Sequence, residues 1–167
     1  MHTRKNADLN NRSFVKRISL KIPLNYRMVF FVTLAVSWFT GLGFFLLDTF
    51  FQIEGEYGMQ KHALQSPALT LHGAAAFLMM IWFGGLVAAH VPMGWRTQRL
   101  RFWGISLLSL IGLQIVTAYG LYYLSHEISR EVIQWVHLIV GGILPFVLVG
   151  HIVAGIKDAR LRQHSKK

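Results

Sequence analysis

The chain has 167 residues, 53% of them hydrophobic, and no cysteine. Lacking thiols, it has no disulfides, no iron–sulfur clusters and no covalently attached c-type haem. A net charge of +10 invites a nucleic-acid reading, which the confinement of the basic residues to the edges of four apolar runs excludes.

Residues 1–27 come first and carry seven Lys or Arg. Phe14, Val15, Ile18 and Ile22 fall at near-helical spacing, with Lys16, Arg17 and Lys21 at other positions, which predicts a short helix lying on the inner headgroups. Ile18, Leu20, Ile22 and Leu24 also alternate as in a strand. Pro23 ends the segment. A polar, basic leader with no small-residue cleavage site close after the first apolar run predicts an uncleaved anchor rather than a removed signal peptide.

Four apolar runs follow, at about 28–51, 68–91, 102–124 and 132–156. Each is long enough to cross a hydrocarbon core about 30 Å thick. The expected fold is therefore all-α, a transmembrane four-helix bundle over 28–156 with a basic tail at 157–167. The first run has Thr33, Ser37 and Thr40 as polar groups and Gly41 and Gly43 as small ones, so it offers packing rather than ligands. The link 52–67 holds Glu54, Glu56, Lys61 and His62 and shows no obvious structure. The second run carries His72 and His90, and the third carries Gln114 and Thr117. The fourth carries His137 and His151, with Gly141, Gly142 and Pro145 between them. Proline there predicts a bend.

Of the 17 Lys and Arg residues, all but Lys61 and Arg130 lie in 1–27, at Arg96, Arg99 and Arg101, or after residue 156. The positive-inside rule then puts both termini and the middle link in the cytoplasm. The expected location is a cytoplasmic (inner) membrane of bacterial or archaeal type, and the basic excess has lipid headgroups as its contact.

The histidines carry the chemistry. His137 and His151 are fourteen residues apart, which on a helix is about 21 Å of rise and a return to within roughly 40° of the same face. His72 and His90 are eighteen apart, five whole turns and about 27 Å. Helices two and four run in the same direction across the bilayer, so His72 matches His137 in depth and His90 matches His151. Ionisable side chains inside a membrane helix are rare and face the bundle interior. A single histidine is adequately explained by a hydrogen bond to a neighbouring helix; two facing pairs suit a different role. Structural zinc takes four ligands, usually with cysteine among them. Two imidazoles on opposite sides of an iron porphyrin make a low-spin b-type haem that leaves no site for oxygen or substrate.

With these residues the chain resembles the four-helix membrane cytochromes b, including the haem-bearing half of bc-complex cytochrome b and the membrane subunits of formate dehydrogenases and nickel–iron hydrogenases. In the bc-type members both haems hang between the second and fourth helices, the pattern of His72, His90, His137 and His151. The dehydrogenase and hydrogenase members place one ligand on the first helix, which has no histidine here. The resemblance implies a membrane electron-transfer subunit carrying two haems b, with quinone or quinol and a redox partner subunit as its partners. It would be a non-catalytic or quinone-reactive part of an oxidoreductase complex.

The unequal ligand spacings, about 27 and about 21 Å, must be absorbed by unequal helix tilt. If they are not, one haem remains, or Met93 or His62 replaces a ligand. Arg130 at one end and Arg96, Arg99 and Arg101 at the other are candidates to pair with haem propionates, beside their plain role in topology. Asp48, Glu54, His62 and His126 are candidates for a proton-accepting quinol site. Two readings of other classes stand beside this one. They are a redox-inert anchor subunit and a small transporter of protons or metal ions; the second is disfavoured by the lack of carboxylates near the midplane of the runs.

Overall fold

In the computed structural model, which describes residues 24–56, 58–97 and 100–164, the chain forms four helices and one small hairpin. Helix α1 is Leu24–Thr49, α2 is Gln65–Thr97, α3 is Arg101–Tyr123 and α4 is Glu127–His164. Strands β1 (Ile53–Gly55) and β2 (Gly58–Gln60) lie between α1 and α2. The helix expected within 13–22 lies outside the described residues, as does Arg99. All four helices are long and apolar enough to cross a membrane. Even α3, the shortest at 23 residues, rises about 35 Å against about 30 Å of hydrocarbon.

A helix in lipid has no water to satisfy its polar side chains, so they must bond within the protein. Thr33 donates to the Val29 carbonyl at 2.8 Å and Thr40 to that of Val36 at 2.6 Å. Ser106 and Thr117 do the same to Phe102 and Leu113, each at 2.8 Å. Each hydroxyl proton closes on its own helix one turn back, leaving the oxygen's remaining lone pair for a neighbour. The apolar surface faces outward: Ile81 is 68% exposed and Phe146 73%, whereas Ala75, Val140 and Leu144 are the buried apolar side chains among the described residues. Apolar area of this extent on the outside is the signature of a lipid-facing surface.

The helices associate as two antiparallel hairpins. In the first, the Tyr26 hydroxyl donates to the Trp82 carbonyl at 2.8 Å and its ring meets the Trp82 ring edge-on. At the other end the Gln65 amide donates to the Asp48 carboxylate. These two contacts pin both ends of α1 to α2. In the second hairpin, Trp103 of α3 lies against Gly150 of α4, and Gly120 lies against Ile133. Contact between the hairpins is slight. The α2 and α3 backbones approach only in places, and those of α2 and α4 hardly at all.

Three expectations about element limits are corrected. The link after α1 is partly ordered as an antiparallel hairpin pairing Ile53 with Gln60, Glu54 with Met59 and Gly55 with Gly58. Gly58 takes φ of 105° there, a conformation open to glycine. Helix α2 extends past the apolar run at 68–91 to Thr97, with Pro92 inside it. Proline is tolerated in membrane helices because neighbouring groups re-satisfy the freed carbonyl. The basic tail is helical as far as His164, supported by an Arg162 to Asp158 ion pair of 3.4 Å one turn apart.

Gly150 faces Trp103 so closely that a Cβ would overlap the indole. Gly150→Val is expected to wedge α3 away from α4 at a cost of about 1–3 kcal/mol, the usual range for overpacking, read as a lowered thermal midpoint of the purified protein. Gly104→Ala, where nothing lies within 4 Å of the added carbon, is expected to leave the midpoint unchanged or slightly raised.

Candidate cofactor-binding site

The four histidines fall on α2 and α4, the two helices whose backbones stand apart. The rings nevertheless meet across that gap. The His72 and His137 centroids are 6.3 Å apart with planes at 88°, and those of His90 and His151 are 6.2 Å apart at 80°. These are the pairs matched by depth in the sequence. The unequal spacings along α2 and α4 do not separate either pair of rings.

At the first pair the hydrogen bonds fix which ring nitrogen is available. His72 Nδ1 lies 2.8 Å from the Ser37 carbonyl, which can only accept, so Nδ1 carries the proton and Nε2 keeps its lone pair. His137 Nδ1 lies 2.9 Å from Thr117 Oγ1, whose own proton goes to the Leu113 carbonyl. That oxygen therefore accepts, and His137 too is protonated at Nδ1. The Gln114 amide nitrogen then donates to His137 Nε2 at 3.1 Å. Gln114 and Thr117 are three residues apart on α3 and share a face, which is how one helix reaches both nitrogens of a ring on α4. Gly41 completes the first level from α1. A Cβ there would come within 2.8 Å of His72 Cε1, so only glycine leaves room for the ring to turn toward Ser37.

The second pair is held differently. His151 Nδ1 is buried with no hydrogen-bond partner, as is Trp82 Nε1. Such orphaned buried polar atoms are uncommon and call for an explanation. His90 is exposed.

Two imidazoles bound on opposite sides of one metal ion, with metal–nitrogen bonds of about 2 Å and ring centres about 1 Å behind the nitrogens, stand about 6 Å apart. Both pairs meet that spacing. Among the described residues there is no group of three or more histidine, aspartate or glutamate side chains able to hold a bare metal ion. Two histidines at each level suit an ion whose remaining ligands come from a cofactor.

The other sequence candidates are not brought to the histidine pairs by any contact. Arg130 donates to the Leu121 carbonyl at 2.9 Å, tying the start of α4 to the end of α3. Arg96 is in the last turn of α2. Arg101 lies over the Trp95 ring, 5.1 Å from its centroid. His62 Nδ1 accepts from the Leu64 amide at 3.1 Å, and His126 Nδ1 is bonded to Ser129 at the start of α4. Asp48 is taken by Gln65, and Glu54 sits exposed on β1. Local structure accounts for His62, His126 and Asp48. The residues that sequence reasoning left without a role are Ser37, Gln114 and Thr117; their signal was isolation, as polar groups inside apolar runs.

No protein-family model, curated protein or solved structure matches this chain.

Thr117→Val keeps the shape of the side chain and removes the acceptor of His137 Nδ1–H. Leaving that donor buried and unpaired is expected to cost about 1–3 kcal/mol, seen as a lower midpoint of thermal unfolding. Thr117→Ser, which restores the oxygen, is expected to recover most of the loss.

Proposed function

We propose that this chain is a membrane electron-transfer subunit carrying two b-type haems, one between His72 and His137 and one between His90 and His151. The observation that carries the reading is the pair of imidazole couples, 6.3 and 6.2 Å apart, spanning a gap between helices that otherwise scarcely approach. When bound, a haem with two axial imidazoles supplies one-electron transfer and leaves no position for oxygen or substrate. The chain's own part is to hold the rings. Ser37 and Thr117 accept from the Nδ1–H groups, which sets the tautomer, leaves Nε2 as the lone-pair nitrogen of each ring, and makes it a better donor to a metal. The apolar lipid face excludes water from both levels.

In this reading both termini and the link with Arg96, Arg99 and Arg101 are cytoplasmic, following the basic residues. The two levels then lie toward opposite leaflets and carry electrons across the bilayer. Quinone or quinol exchanges electrons at one end and a redox partner subunit at the other, as in the cytochromes b that the sequence resembles. Arg130 and Arg96 stand near opposite ends of the helices that carry the histidines, with Arg99 close by in sequence, and they suit cofactor carboxylates. A second reading, a redox-inert anchor, draws on the hydrogen bonds of the first pair, which already satisfy much of both rings from α1 and α3. The second pair makes no such bonds among the described residues and speaks against it.

A reduced-minus-oxidised visible spectrum of the full chain purified from membranes is expected to show low-spin b-type bands, with one haem per histidine pair. Alanine at either member of a pair should remove the same haem, so that the double variant His72→Ala/His137→Ala loses no more than either single one. A colourless protein would reject the reading in favour of the anchor. Loss of one common haem from His72→Ala and His151→Ala would reject the pairing.

A further inference from the structure

The two histidine levels are not equivalent, and Gln114 is the cause. At the first pair, His137 has both ring nitrogens engaged, with Thr117 at Nδ1 and the Gln114 amide at Nε2. Nε2 is the nitrogen left to bind a metal, so Gln114 occupies the position that a ligand to His137 must take. Its own carbonyl, Oε1, is buried without a partner. The amide is pressed against α4, where a Cβ on Gly141 would come within 2.8 Å of its nitrogen. At the second pair neither ring makes a hydrogen bond among the described residues, His151 Nδ1 is an orphan and His90 is exposed.

We propose that Gln114 is a latch on the first pair, closing His137 Nε2 in the haem-free chain, so that the second pair takes its haem first and the first pair is filled only after the amide swings away. This rests on the haem reading above. The bond to be broken is one amide–imidazole contact inside a bundle with no water to replace it. The latch is cheap to open, because Gln114 makes one of the four hydrogen bonds open to its side chain in the closed position and leaves Oε1 buried without a partner. Opening it lets Oε1 and the amide protons find new partners together. The glycine at 141 gives the closed amide its place, and the Thr117 bond to Nδ1 keeps the ring from turning to offer its other nitrogen.

The test uses the full chain, purified haem-free in detergent and titrated with ferric protoporphyrin IX, with uptake followed by its visible spectrum. His90→Ala isolates the first pair and His72→Ala isolates the second. Adding Gln114→Leu is expected to speed and tighten uptake at the first pair by on the order of two- to tenfold, the weight of one hydrogen bond, and to leave the second pair unchanged. In the parent chain the second pair should fill before the first. Nitrogen-15 spectra of labelled histidine in the haem-free chain give a readout independent of uptake. His137 Nε2 should resonate as a hydrogen-bonded acceptor, and Gln114→Leu should move it to the unbonded position without moving His90 or His151. Unchanged uptake in Gln114→Leu, with haem still bound at both pairs, would overturn the latch and leave the haem reading intact. Absence of uptake at both pairs in the parent chain and in Gln114→Leu, with the nitrogen spectra as expected, would overturn the haem reading and the loading order with it, while the amide–imidazole contact itself stood.

Discussion

An imidazole buried in an apolar medium needs a partner for each of its nitrogens, and this requirement shapes the interior of the bundle. Two hairpins, each closed by its own tyrosine, tryptophan or glycine contacts, are set side by side with their histidine-bearing helices apart. Between α2 and α4 the four imidazole rings meet in pairs, and Phe45 of α1 meets Trp135 of α4 beside them. A bundle that excluded water simply by packing would bring α2 and α4 to the 8–10 Å axial separation typical of touching helices and bury leucine and valine between them. Here only Ala75, Val140 and Leu144 are buried apolar residues among those described.

The two levels answer the requirement in different ways, and the difference comes from the neighbouring helices. At the first level α1 supplies a carbonyl from Ser37 and space at Gly41, while α3 supplies Thr117 and Gln114. Each ring is fixed in one tautomer by groups whose own protons are already committed or that have none. At the second level nothing comparable is offered among the described residues, and His151 Nδ1 stays buried without a partner. A pair whose rings are held by hydrogen bonds therefore sits on the same helices as one that is loosely held, and on the haem reading proposed above the two would differ in affinity.

Much of this was legible in the residues. Hydropathy alone marks the four spans, because a segment in lipid must be continuously apolar, and steps of about 100° per residue put His72 with His90, and His137 with His151, on common faces. Depth matching across the two helices needs only their common direction. The supporting groups were not legible, because Ser37 acts through a backbone carbonyl, which any residue has, and Gln114 and Thr117 read as ordinary polar interruptions until α3 is laid against α4. The apolar runs at 68–91 and 132–156 are shorter than the helices that contain them, Gln65–Thr97 and Glu127–His164. Proline is a strong stop in water but a weak one in a membrane helix, and a basic amphipathic extension has no apolar run to reveal it. The small hairpin at Ile53–Gln60 was hidden because three-residue strands carry too little alternation to register.

The central claim is that paired imidazoles, and no other side chains, would ligate the iron of a porphyrin held between α2 and α4. Near-infrared magnetic circular dichroism of the oxidised, purified chain tests it most directly, since that signal reports the two axial ligands of a low-spin ferric haem. The account predicts a bis-imidazole signal from every haem bound. A signal of histidine–methionine or single-histidine ligation, or a preparation with no haem at all, would contradict it.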